Sequence, residues 1–181
     1  MKKPGILALC GVVTALSVVL MLFEGLVSIA SIAIPALAGC LLIPIVAEAG
    51  MGYAFGAFGA TSVLCLLLAP DREAALIYLL FFGYYPILFA VLSKIRQPAL
   101  RWAAKLALFN AAAVSEALLT IYVLGVPAEE FTQLPFVGTY GPAVLLGLAN
   151  VVFVMYDFAL GGLINQYYQR FRQVIKRYLY K

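Results

Sequence analysis

The chain has 181 residues, of which 65% are hydrophobic and 11% charged, with a net charge of +4 at pH 7. Its mean hydropathy of +1.05 excludes a water-soluble globular domain. The absence of histidine excludes imidazole as metal ligand, general base or near-neutral pH switch.

A membrane-spanning helix needs about 20 mostly apolar residues. Breaks at charged or Gly/Pro-rich positions leave apolar segments at 5–23, 27–47, 53–70, 74–93, 102–124 and 141–164, which predicts an all-α integral membrane protein with a six-helix transmembrane bundle over 1–164. The first segment follows Lys2 and Lys3 as a signal peptide would, but its length is that of a full span, so it reads as an uncleaved helix. Leu9, directly before Cys10, argues against a lipoprotein cleavage site. Cys10, Cys40 and Cys65 all lie in apolar runs without a CxxC pair and read as small hydrophobes.

Alternating six helices puts the amino terminus, the 48–52 turn, the 94–101 loop and the carboxyl tail on one side. Eleven basic residues fall there: Lys2, Lys3, Lys94, Arg96, Arg101, Lys105, Arg170, Arg172, Lys176, Arg177 and Lys181. Arg72 alone falls on the other, with Glu24, Asp71, Glu73, Glu129 and Glu130. By the positive-inside rule both termini are expected in the cytoplasm. The tail, residues 165–181, interleaves Tyr167, Tyr168, Phe171, Val174, Ile175 and Tyr178 with cations. It reads as an amphipathic basic helix on the anionic inner leaflet, serving as a topology anchor or as a contact for a partner subunit. Trp102 is expected at the membrane interface.

Two stripes of small residues stand out, Gly11 with Ala15 in the first segment and Gly52, Gly56, Gly59 and Ala60 in the third. They serve either internal helix packing or docking of another subunit. Pro35 and Pro44 in the second segment and Pro86 in the fourth are expected to kink or interrupt their helices.

Five polar residues in or beside spans must face the bundle interior or a cavity: Glu24, Asn110, Glu116, Asn150 and Asp157. At about 1.5 Å per residue, Glu116 lies roughly 12 Å and Asp157 roughly 24 Å below the outer ends of their helices, too far apart in depth for one carboxylate pair. Asn110 and Asn150 come out level and are expected to bond to each other, while Asp157 is within reach of Lys105 or Arg101. Glu116 is expected to share an outward-facing substrate pocket with Glu24, Arg72, Tyr84, Tyr85, Phe136 and Tyr140. Arg72, flanked by Asp71 and Glu73, is also open to a surface ion pair.

The first helix with Gly11 and Ala15, and the run from Pro35 through Pro44 to Gly52, Gly56 and Gly59, resemble the substrate-binding S component of energy-coupling factor (ECF) transporters, six-helix bacterial membrane proteins. The resemblance extends over essentially the whole chain, with glycine standing where the family's first stripe alanine is usual. It implies that Gly11 and Ala15 dock on an integral membrane coupling subunit bound to two cytoplasmic ATPases, and that the outer loops capture a vitamin or similar micronutrient. It also implies a plasma-membrane location.

No P-loop, clustered aspartates, nucleophile motif or metal constellation occurs, so no enzymatic activity, cofactor or nucleic-acid partner is expected. Two other classes stay open: a membrane scaffold without substrate, and a self-contained carrier using Glu116 and Asp157 as proton sites.

Overall fold

A computed structural model describes residues 3–26, 32–127 and 140–172 of the chain. Residues 27–31, the loop with Glu129, Glu130 and Phe136, and the tail beyond Arg172 lie outside the described residues. Among the described residues the secondary structure is entirely helical.

Among the described residues five helices are long and apolar enough to cross a membrane: Lys3–Phe23, Met51–Leu68, Arg72–Leu92, Pro98–Tyr122 and Gly141–Phe171. The expected second span appears as a shorter apolar stretch, Ala33–Glu48. The elements are α1 (Lys3–Phe23), a 3-10 turn (Glu24–Leu26), α2 (Ala33–Cys40), α3 (Ile43–Glu48), α4 (Met51–Leu68) and α5 (Arg72–Ile77). A π-helical stretch (Tyr78–Phe82), α6 (Tyr85–Leu92), α7 (Pro98–Tyr122), α8 (Gly141–Gln166) and a second π-helical stretch (Tyr167–Phe171) follow. The last helix therefore continues past residue 164, where the apolar pattern ends.

The prolines account for several of these boundaries. Pro35 is the third residue of α2, Pro44 the second of α3, Pro86 the second of α6 and Pro98 the first of α7. In a first turn the missing N–H would have no intrahelical partner, so each proline is well tolerated there and poorly tolerated one turn later. The interruptions expected from Pro44 and Pro86 are thus real, and they take the form of new helix starts. Gly50 turns the chain from α3 into α4 with φ of 92°, a conformation that a side chain disfavours.

The chain divides into two compact units, Met1–Val91 with Leu160–Lys181, and Leu92–Ala159. In the first unit α1 and α4 run side by side in the same direction. Val18 and Met21 of α1 share a buried cluster with Cys65 and Ala69 of α4, and Val13 shares one with Ala54 and Ala57. The α2–α3 and α5–α6 stretches run the opposite way, since Ala38, Ala74, Ala75 and Tyr78 join the first cluster and Leu42, Ile45 and Ile87 the second.

One close backbone approach holds this unit together. Pro86 offers no N–H to the Phe82 carbonyl four residues earlier, and that carbonyl instead lies against Gly39 of α2, where any side chain would collide with it. The turn before it is π-helical: the Gly83 N–H reaches back to the Tyr78 carbonyl at 2.8 Å. Gly83 in turn leaves room for the Phe58 ring, which a Cβ would meet at 2.6 Å.

In the second unit α7 and α8 form an antiparallel pair in a regular register. Trp102 lies beside Phe158 with ring centroids 5.8 Å apart, Lys105 meets Asp157, Phe109 stacks on Phe153 at 4.6 Å, and Asn110 meets Asn150. Each advance along α7 is matched by a retreat along α8.

Candidate functional site

Polar side chains are the costly residues of an apolar bundle, so their placement identifies where chemistry or binding is concentrated. In the first unit one group of them lies toward the end where α1 terminates. Ser17, Glu24, Thr61 and Ser62 are all buried. Ser17 Oγ donates to the Ala38 carbonyl at 3.3 Å. The Thr61 and Ser62 hydroxyls and the Tyr78 hydroxyl are enclosed without a hydrogen bond of good geometry, and Thr61 and Cys65 neighbour the Tyr78 phenol. Ser17, Thr61 and Tyr78 each lie six or seven residues inside their helix ends, roughly 10 Å deep at 1.5 Å per residue. A buried hydroxyl without a partner costs about 1–3 kcal/mol, which makes this cluster a natural seat for water or a polar ligand group.

Glu24 closes the cluster at the end of α1, 1% exposed in the 3-10 turn. Its neighbour Gly25 packs directly on the Pro70 ring, which brings this turn against the α4–α5 connection. There Asp71 caps α5, its Oδ1 accepting from the Glu73 N–H at 2.8 Å and the Ala74 N–H at 3.2 Å. Arg72 is exposed and donates from Nη1 to the Leu66 carbonyl at 3.2 Å. Asp71 thus serves the helix terminus and Arg72 a carbonyl, in place of the ion pair that their adjacency suggests.

The remaining predicted site residues fall in different places. Tyr84 and Tyr85 lie about 18 Å along the helix from Arg72 at 1.5 Å per residue, well inside the first unit. Tyr84 packs edge-on to Phe58 at 5.8 Å, and Tyr85 is fully buried, its ring 4.7 Å from Phe81. Glu116 and Tyr140 belong to the second unit. Glu116 accepts a hydrogen bond from the Thr120 hydroxyl at 2.9 Å, and Tyr140 is 75% exposed. Of the predicted set, Glu24 and Arg72 flank one end of the first unit, and Tyr84 and Tyr85 form an aromatic cluster deeper within it.

Gly11 and Ala15 are exposed on α1, and a Cβ at Gly11 would meet nothing within 4 Å. The same open space lies over Gly52, Gly56 and Gly59 of α4. Among the described residues neither stripe packs against another element, because α1 meets α4 through its other face, with Val13, Ser17, Val18 and Met21 buried.

The polar pairs of the second unit fill their own bonding capacity. Lys105 Nζ lies 2.7 and 2.8 Å from the two carboxylate oxygens of Asp157 and 5.2 Å over the Trp102 ring. Asn110 and Asn150 exchange hydrogen bonds at 2.9 Å in both directions. Each carboxamide gives its second N–H to the carbonyl one turn earlier, Leu106 and Leu146, at 2.8 Å. These groups cement two helices, and both carboxamides have all their N–H donors engaged.

Sequence reasoning missed Ser17, Thr61 and Ser62, because hydroxyls are common on any helix and the pattern does not say which way they face. It also missed Glu48, whose carboxylate is 2% exposed and accepts from Arg172 Nε at 3.0 Å. Two residues 124 apart leave no periodic signal. The chain matches no family model, no curated protein and no solved structure.

Proposed function

We propose that the chain is the substrate-capture subunit of an ATP-driven importer of the ECF type, taking up a vitamin or similar micronutrient across a bacterial plasma membrane. Both termini face the cytoplasm, an orientation supported by the eleven-to-one partition of basic residues. The observation that carries the reading is the two-sidedness of α1. Its small residues Gly11 and Ala15 look out into open space, while its other face leads through Ser17 to the buried carboxylate of Glu24.

In this reading the open stripe receives the integral coupling subunit, whose two ATPases supply the work. The polar cluster of Ser17, Glu24, Thr61, Ser62 and Tyr78 receives the polar groups of the cargo from the outer side. Arg72 stays a candidate for the outer rim, and Tyr84 and Tyr85 support the pocket from below. A self-contained proton carrier is less well supported, since Asp157 is held in a matched pair with Lys105 and is poorly placed to exchange protons.

Purification from a co-expressing host tests the reading. An importer subunit brings down an integral partner and two ATPases, and mass spectrometry of the denatured sample finds a retained small molecule. A scaffold brings down partners without cargo. Gly11→Leu is expected to abolish uptake and spare substrate binding, because the added side chain projects into open space and disturbs nothing inside the bundle. Uptake that survives it removes the docking assignment.

A further inference from the structure

The break in the second apolar stretch and the end of the last helix together create a groove that the proposed transport function does not use. It has a volume of about 430 Å³, and its walls include Leu37, Leu41 and Pro44 on one side and Leu163, Tyr167 and Phe171 on the other. That size falls within the roughly 300–1,000 Å³ typical of ligand sites. All of these residues belong to the first unit.

Two of the lining side chains are polar. Gln166 is one, and Tyr167 brings a buried hydroxyl close to Glu48 without a hydrogen bond of good geometry. Arg170 stands one turn beyond Gln166 along the same helix and is exposed. Arg172 bonds Glu48 through Nε, lies 5.0 Å over the Tyr168 ring and keeps its side chain 38% exposed. The 31 residues of Gly141–Phe171 extend roughly 46 Å at 1.5 Å per residue, against about 30 Å of hydrocarbon and about 40–45 Å with the headgroups. The helix is thus longer than the hydrocarbon is thick, and its arginine end is the one that is costly to leave inside it.

We infer that this groove holds one acyl chain of an anionic phospholipid of the cytoplasmic leaflet, with the headgroup on Arg170 and Arg172. A mostly apolar slot with a carboxamide and a phenol in one wall, and two arginines next to its last lining residue, Phe171, along the helix, suits a lipid with an apolar chain and an anionic headgroup. Glu48 holds the Arg172 side chain, one residue beyond the lining Phe171, so that the cation is positioned before the lipid arrives. The assignment of leaflet rests on the orientation proposed above; the binding chemistry does not.

The test uses full-length protein in nanodiscs of equal phosphatidylglycerol and phosphatidylcholine with identical acyl chains, followed by native mass spectrometry of the released protein. The wild type is expected to retain one phosphatidylglycerol in preference to phosphatidylcholine by about fivefold, the factor of one cation at an anionic surface. Leu163→Trp, at a lining position that is 42% exposed, is expected to fill the slot and abolish retention of both lipids. Cys40→Phe, from the opposite wall, is expected to do the same and covers the case in which the first variant misfolds. Arg170→Gln is expected to keep retention and reduce the preference. Equal retention of both lipids by the wild type, retention unchanged in both filling variants, or a retained non-lipid molecule overturns the proposal. Because the assay needs neither cargo nor coupling partners, its failure is separate from a failure of the transport reading.

Discussion

Lys105 and Asp157 form a two-pronged ion pair with both side chains buried, Nζ lying 2.7 Å from Oδ1 and 2.8 Å from Oδ2. Such a pair is weak evidence of net stabilisation, since the desolvation of two charges offsets their attraction. Breaking it is another matter. Asp157→Ala strands a buried ammonium group and is expected to destabilise the protein by about 3–5 kcal/mol, read as loss of the monodisperse peak on heating in detergent. The double change Lys105→Met with Asp157→Leu is expected to recover most of that loss. A double variant as unstable as the single one would show that the charges do more than neutralise each other.

The Asn110–Asn150 pair is expected to contribute less. Interhelical polar bonds inside membranes average about 0.6 kcal/mol and reach about 1.7 kcal/mol. Asn110→Ala, Asn150→Ala and the double variant, compared in a thermodynamic cycle of unfolding in mixed micelles, are expected to show coupling within that range. Strictly additive effects would mean that the two carboxamides act independently.

Gly39→Ala is expected to be among the most damaging single-methyl additions in the first unit, because the new carbon collides with the Phe82 carbonyl and backbone yields poorly. Overpacking of this kind costs about 1–3 kcal/mol. Gly56→Ala, where nothing lies within 4 Å, is the control and should leave thermal stability unchanged. Equal effects at the two positions would contradict the close approach of α2 to the π turn.

Glu24→Gln and Glu116→Gln separate the two candidate carboxylates. If the cluster at the end of α1 binds the cargo, Glu24→Gln weakens affinity about 10- to 100-fold, the equivalent of one charge-assisted bond of about 1.5–3 kcal/mol. Calorimetry with the ligand identified by mass spectrometry measures it. Retained affinity in Glu24→Gln with loss in Glu116→Gln moves the site to the second unit.

Much of the helical layout is legible in the residues because a lipid-embedded backbone has few options and long apolar runs admit only helices. The pairings of Asn110 with Asn150 and of Asp157 with Lys105 were legible too, since depth along a helix follows from residue count, and polar groups at equal depth in an apolar medium find each other. The candidate site was legible only in part. Glu24 was found because a carboxylate at the end of an apolar helix is rare, whereas the Ser17, Thr61 and Ser62 hydroxyls were hidden among ordinary helix residues. The helix boundaries at Pro44 and Pro86 were anticipated, but not that the Phe82 carbonyl freed by Pro86 would rest on Gly39, which depends on two segments arriving at one place.

What the residues determined by themselves is the apolar, helical character of the chain and the asymmetry of charge along it, because hydrophobicity and charge are properties of each residue alone. What only the tertiary structure decided is which faces meet. It turned the Gly11–Ala15 and Gly52–Gly56–Gly59 stripes outward, buried the hydroxyls beside Glu24 and Tyr78, joined Glu48 to Arg172 and opened the groove beside Leu41. Each depends on the rotation of one helix against another, and that is fixed by packing summed over many side chains rather than by any local pattern.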